Sequence, residues 1–83
     1  MSENEITAGL KKLLKNIAPD KPVEQLKQED VIRKALALDS YDFLQFIIAL
    51  DDLYKIKTPE EDYHKLEKLK DVVKYIEHNL ESK

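Results

Sequence analysis

The sequence predicts an all-α fold, a small four-helix bundle with a long first connection and a short third helix. Three long segments carry apolar residues at the helical spacing of three and four, which is typical of helices with one buried face. Residues that favour helix starts precede the first two of these segments, and prolines follow the first of them. No segment shows the alternation of a half-buried strand. We expect one domain, residues 1–83.

The first helix is predicted to begin after Ser2, because Glu5 follows three residues later and the two can form a capping box. Pro19 and Pro22 should end this helix, since proline lacks the N–H group that a helix interior uses. The predicted apolar stripe consists of Ile6, Leu10, Leu13, Leu14 and Ile17.

A long connection follows, from Ala18 to Leu38. Loops of this length are uncommon in compact domains unless they are functional or anchored. A helical turn is expected near Gln28 to Lys34. The residues expected to anchor the connection to the core are Val23, Leu26, Val31, Ile32 and Leu36.

The second helix is predicted from about Ser40 to Tyr54. Asp39 is a favourable N-cap, and Asp42 lies three residues on in the capping-box position. Ser40 therefore takes the first helical position, where its hydroxyl should be exposed. The partial positive charge of a helix N-terminus favours a phosphate attached there.

The stretch from Thr58 to Glu61 predicts the start of a short third helix, with Thr58 as its cap and Pro59 at its first position. This helix is expected to end near Tyr63 or His64. The last helix has Leu66 at its approach and an apolar stripe of Leu69, Val72, Val73, Ile76 and Leu80.

The second helix has two apolar faces when its residues are placed at about 100° per step. The predicted core face holds Phe43, Phe46, Ile47, Leu50, Leu53 and Tyr54. The other holds Tyr41, Leu44, Gln45, Ile48, Asp51 and Asp52. Because a helix needs only one buried stripe, the second face predicts a protein-docking surface with apolar anchors and an acidic edge. Alternatively, the long connection covers Leu44 and Ile48.

Charge and composition exclude several classes of partner and site. The net charge is −3, but residues 35–62 carry two lysines against seven acids, which repels phosphate backbones and favours basic protein surfaces. Nucleic acid is therefore not expected as a partner. The sequence also shows no signal segment and no membrane-spanning run, so we expect a soluble cytoplasmic monomer.

Three stretches resemble, in order, the acyl carrier protein family over Leu36 to Ile76. They are Asp39-Ser40-Tyr41-Asp42, the helix end Ala49-Leu50-Asp51-Asp52-Leu53-Tyr54-Lys55-Ile56 with Thr58-Pro59-Glu60-Glu61, and Asp71-Val72-Val73-Lys74-Tyr75-Ile76. The family pattern is Gly-x-Asp-Ser-Leu, then Ala-Leu-Glu-Glu-x-Phe-x-Ile-x-Ile-Pro, then Asp-x-Val-x-Tyr-Ile.

The resemblance implies that Ser40 carries phosphopantetheine, attached from coenzyme A by a separate phosphopantetheinyl transferase with a magnesium ion. Asp39 would support that transfer, and the arm's thiol would hold acyl groups as thioesters for fatty-acid or related lipid and polyketide synthesis. The partners implied are acyl-loading and acyl-processing enzymes with basic docking surfaces. These enzymes would recognise a surface formed by Tyr41, Leu44, Gln45, Ile48, Asp51 and Asp52. This chain departs from the pattern at Ala37, Tyr41, Gln45 and Leu53, which suggests a specialised carrier.

The sequence predicts neither catalysis nor a metal site in the chain itself. Ser40 has no local base, since His64 and His78 show no evident path to it, and a self-contained hydrolase would need one. The histidines are fourteen residues apart and no cysteine assists them, which is a poor metal set.

Two other functions stay open. The cargo could be an aminoacyl or peptidyl group, as in related carrier domains, or the chain could be an unmodified helical module that binds another helix through Tyr41, Leu44 and Ile48. For the acyl carrier, Phe43 and Phe46 are expected to fill space that would otherwise admit a long acyl chain.

Overall fold

The computed structural model describes residues 2–81 and shows a small helical bundle, as predicted. The four α-helices of this range are α1 (Glu3–Ile17), α2 (Ile32–Ala35), α3 (Ser40–Tyr54) and α4 (Leu69–Glu81). Two 3₁₀ helices, Val23–Gln25 and Glu60–Lys65, lie between them, and no strand occurs within residues 2–81. Residues 1, 82 and 83 of the predicted domain lie outside the described residues.

Helix α1 begins with the capping box that the sequence predicts. The Ser2 hydroxyl accepts from the Glu5 N–H at 3.2 Å, and the Glu5 carboxylate accepts in return from the Ser2 N–H at 3.4 Å. The predicted stripe faces the core, with Ile6, Leu10 and Leu14 fully buried and Leu13 and Ile17 half-buried at its edges.

The long connection is anchored at both of its ends, as predicted. Val23, Leu26, Ile32 and Leu36 are buried, whereas Val31 is half-buried. The helical turn predicted near residues 28–34 lies slightly further along the chain, as α2.

Backbone hydrogen bonds tie the connection to the start of α4. The Ile32 N–H donates to the Glu67 carbonyl at 2.9 Å, and the Leu69 N–H donates to the Asp30 carbonyl at 3.1 Å. The Glu29 carboxylate adds an ion pair with Lys70 at 2.7 Å. The two backbone hydrogen bonds form an isolated antiparallel bridge centred on Val31 and Lys68. We name this bridge the latch.

The central helix α3 supplies the middle of the core. Phe43, Phe46, Ile47, Leu50 and Tyr54 are buried as predicted. Leu53 is 50% exposed, however, so its predicted place on the core face is wrong. Its position lies at the edge of the buried stripe, next to α1, and burial stops just short of it.

Close packing between α1 and α3 depends on the single glycine. The buried Tyr54 hydroxyl donates to the Ile6 carbonyl at 3.3 Å, across the interface between the two helices. A Cβ at Gly9 would lie 2.5 Å from that hydroxyl oxygen. The missing side chain therefore gives the tyrosine room to reach its acceptor.

The third predicted helix is present as the 3₁₀ helix Glu60–Lys65, but its predicted cap is wrong. Pro59 is the N-cap residue and Thr58 precedes it. The Thr58 hydroxyl donates to Asp51 Oδ1 at 2.6 Å, and its N–H donates to Asp51 Oδ2 at 3.1 Å. A charged acceptor at the end of α3 thus takes the donors of Thr58, because charge-assisted hydrogen bonds are stronger than neutral ones.

Asp62 connects this 3₁₀ helix to α4. Its carboxylate pairs with Lys65 at 3.2 Å and accepts from the Tyr75 hydroxyl at 3.0 Å. The hydrogen bond from Lys65, followed by that from Tyr75, holds the pKa of Asp62 below its usual value. Burial, and then the neighbouring carboxylate, raise the pKa of the Tyr75 phenol.

Candidate functional site

Ser40 is the first residue of α3 and is exposed, as the sequence predicts. The cap residue Asp39 has an extended backbone, and its Oδ1 accepts from the Asp42 N–H at 2.8 Å. This carboxylate therefore satisfies one orphan donor of the helix directly before Ser40.

A tight turn between α2 and α3 sets the position of Ser40. Leu36 and Leu38 are buried on either side of Ala37, whose φ of 52° lies in the left-handed region. The Leu38 N–H donates back to the Arg33 carbonyl at 2.9 Å. The left-handed backbone of Ala37 turns the chain between the two buried leucines, although alanine is not well suited to that conformation.

The same turn brings Arg33 to the serine. Arg33 Nη2 donates to Ser40 Oγ at 3.3 Å, and its Cζ lies 5.4 Å from the centroid of the Phe43 ring. The sequence analysis missed this residue. One signal was available, since Arg33 is the sole arginine in a chain whose other cations are lysines.

A groove of about 770 Å³ opens beside Ser40. Its walls come from the end of the connection, from α2, from the first turns of α3 and from the 3₁₀ helix. The lining residues are Val31, Arg33, Lys34, Leu38, Ser40, Phe43, Leu44, Glu60, Tyr63, His64, Leu66 and Glu67. Apolar walls with a charged rim suit a ligand that has a polar end and an apolar one.

His64 is one of these lining residues, on the same groove as Ser40. The 3₁₀ helix and the start of α3 border this groove together, a proximity between distant segments that local sequence patterns do not reveal. The hydrogen-bond partner of the Ser40 hydroxyl is nevertheless the guanidinium of Arg33, which cannot accept a proton.

The second face of α3 is open to solvent. Tyr41 is 68% exposed, Ile48 is 54% exposed and Leu44 is 41% exposed. The alternative in which the long connection covers Leu44 and Ile48 is therefore wrong. These three side chains form an apolar strip that runs away from Ser40 along the helix, which we call the α3 strip.

The polar residues predicted beside the α3 strip differ in their surroundings. Gln45 is half-buried, whereas Asp52 is exposed, 4.0 Å from Lys55. Asp51 is half-buried and holds the two donors of Thr58. Asp51 thus fixes the loop after α3, a structural role that the sequence analysis did not predict.

No group of three or more histidine, cysteine, aspartate or glutamate side chains within residues 2–81 is arranged to hold a metal ion. Over the same range, no helix is long and apolar enough to cross a membrane.

Proteins with similar sequences and structures are acyl carrier proteins. The chain is 36% identical over 56 residues to the acyl carrier protein of Wolinella succinogenes, which spans 68% of this chain and 74% of that protein. It is 33% identical over 66 residues to acyl carrier protein 3 of Ralstonia nicotianae, with 80% and 76% covered. The structure matches that of the acyl carrier protein from Enterococcus faecalis with a TM-score of 0.77 and 26% identity, covering 95% of this chain and 99% of that one.

No family model matches the chain. The relatives and the solved protein are nevertheless all acyl carrier proteins, and the solved fold matches the helical bundle described above. On these grounds the chain belongs to the acyl carrier protein family.

Proposed function

We propose that the chain holds acyl groups as thioesters on a phosphopantetheine arm attached to Ser40, and presents them to enzymes of fatty-acid or related lipid or polyketide synthesis. The observation that carries this proposal is an exposed serine hydroxyl at the N-terminus of α3, beside a groove, in a chain of this family. In this proposal the chain is a carrier that other enzymes act on.

The surroundings of Ser40 fit a phosphodiester. The hydroxyl is accessible, a helix N-terminus favours an attached phosphate, and the Arg33 guanidinium already lies within hydrogen-bond distance. When bound, the arm would supply the thiol that carries the acyl group, a group that the chain itself lacks because it has no cysteine.

Attachment requires a separate phosphopantetheinyl transferase in this proposal. The Ser40 hydroxyl accepts a hydrogen bond from Arg33, a cation that cannot remove its proton, so in this proposal the activating base comes from the transferase. Asp39 would support the transfer through its carboxylate, which stands directly before the serine and also caps α3.

The α3 strip, with Gln45, Asp51 and Asp52, is the proposed docking surface for partner enzymes. Exposed apolar side chains would pack at the centre of such an interface, and the acids would attract basic partner surfaces. We propose further that residues 1–83 form one domain that works as a cytoplasmic monomer.

Incubation with coenzyme A, magnesium and a broad-range phosphopantetheinyl transferase tests the proposal directly. Intact-protein mass spectrometry should show one added phosphopantetheine on the wild-type chain and none on Ser40→Ala. Ser2→Ala is the matched control, because it removes an exposed serine elsewhere and should leave the modification intact.

Failure of several transferases to modify the wild-type chain would contradict the carrier proposal and favour the unmodified interaction module. If the modified chain is loaded by an amino-acid-activating enzyme but by no acyl-loading enzyme, the cargo is aminoacyl or peptidyl instead.

A further inference from the structure

Arg33 is held beside Ser40 by its backbone and by its side chain. Its carbonyl accepts from the Leu38 N–H at 2.9 Å, which fixes the turn, while Nη2 reaches Ser40 Oγ at 3.3 Å. The Phe43 ring lies against the guanidinium, with 5.4 Å between Cζ and the ring centroid. An exposed arginine is thus restrained by an aromatic contact and aimed at the reacting oxygen.

The charges around Ser40 give this arginine a function once the serine is modified. Asp39 directly precedes Ser40 and Asp42 lies two residues after it, and both carboxylates disfavour a further negative charge nearby. A phosphodiester on Oγ adds such a charge, with non-bridging oxygens two bonds beyond the atom that Arg33 already contacts. A guanidinium suits these oxygens because its planar fork of N–H donors matches phosphate geometry.

We propose that Arg33 binds the phosphodiester of the arm on Ser40 through charge-assisted hydrogen bonds to its non-bridging oxygens. This inference rests on the proposed attachment at Ser40. The contact holds the first segment of the arm at the mouth of the groove and offsets the charge of the two neighbouring aspartates. Lys34 lines the same groove, but the hydrogen bond to Ser40 comes from Arg33.

Phosphorus NMR on the modified protein tests the contact. Wild type, Arg33→Gln and the matched control Lys34→Gln are modified, and mass spectrometry verifies the added arm on each. Circular dichroism verifies that Arg33→Gln keeps its helices, as expected for an exposed residue. The measured quantities are the transverse relaxation rate of the phosphodiester phosphorus and, in the wild type, the change in the Arg33 Nε–Hε resonance on modification.

We expect phosphorus in wild type and Lys34→Gln to relax at the rate of the folded domain, and in Arg33→Gln to relax more slowly, toward the rate of free coenzyme A. The Arg33 resonance should shift on modification, and added salt should bring the wild-type rate toward that of Arg33→Gln. Equal phosphorus relaxation in modified wild type and modified Arg33→Gln would overturn the contact while leaving the attachment site intact. A wild-type chain that gains no mass would overturn the attachment site and the inference together.

Discussion

Replacement of Ala37 by glycine is expected to stabilise the fold. Ala37 has a φ of 52°, a conformation that costs an L-residue roughly 1–2 kcal/mol because Cβ crowds the next carbonyl oxygen. Glycine removes this cost. It also gives the unfolded chain more conformational entropy, which lowers the free energy of unfolding by roughly 0.4–1 kcal/mol. Ala37 is exposed, so its methyl group contributes little packing. The net gain in the free energy of unfolding is therefore about 0–1.6 kcal/mol, and its midpoint of about 0.8 kcal/mol raises Tm by about 3–6 °C.

Thermal and urea unfolding followed by circular dichroism measures this difference. The matched control is Ala8→Gly, the same chemical change at an exposed position inside α1. There glycine should lower the free energy of unfolding by about 1 kcal/mol, since it is a poor helix former. The two substitutions should therefore shift Tm in opposite directions.

Equal destabilisation by Ala37→Gly and Ala8→Gly would refute the reasoning. It would mean that the turn before Ser40 accepts alanine without strain, and that glycine at this position acts only through the unfolded chain.

Other predictions concern the contacts that hold the bundle together. Thr58→Val should lower the free energy of unfolding by about 1–3 kcal/mol, because Asp51 loses a hydroxyl donor, whereas Thr58→Ser should not; equal effects in a urea titration would show that the hydroxyl contributes nothing. Gly9→Ala should destabilise the wild type by displacing the Tyr54 hydroxyl, but should stabilise the Tyr54→Phe variant through helix propensity; the same sign in both backgrounds would contradict the packing argument. The pKa of Asp62 is lowered in the folded state, so its contribution is present above the usual value of 3.8 and is lost as the pH falls below it; the Tm of Asp62→Asn should therefore fall less with acid than that of wild type, and parallel pH profiles would count against this. If the aromatic residues of α3 limit the space for cargo, long and short acyl chains should raise Tm of the loaded protein equally, and a steady rise with chain length would contradict that expectation.

The features that the sequence predicted well depend on neighbours along the chain. The capping box at Ser2 and the bounds of α3 follow from residues three or four apart, and the structure confirms both. Burial of one stripe on each long helix follows from the same local spacing. The exposed position of Ser40 at the start of α3 could be predicted for this reason.

The features that it predicted poorly depend on contacts between distant segments. Thr58 was assigned as the cap of the helix that follows it, but its hydroxyl and its N–H donate to Asp51 of α3. His64 lines the groove because the 3₁₀ helix borders it together with α3, a proximity between segments far apart in the chain. Arg33 reaches Ser40 only because an alanine adopts a left-handed turn, which no propensity scale favours.

The latch has a consequence for when the chain becomes a substrate. It joins the residues just before α2 to those just before α4, and everything that frames Ser40 lies on the loop that it closes. Closing a long loop costs entropy that only the contacts across it offset, so we expect this bridge to form late in folding. A nascent or partly unfolded chain would still display the serine but without its groove or its arginine. An enzyme that recognises this folded setting would leave such chains unmodified, so that the modified population would contain only molecules that had completed folding.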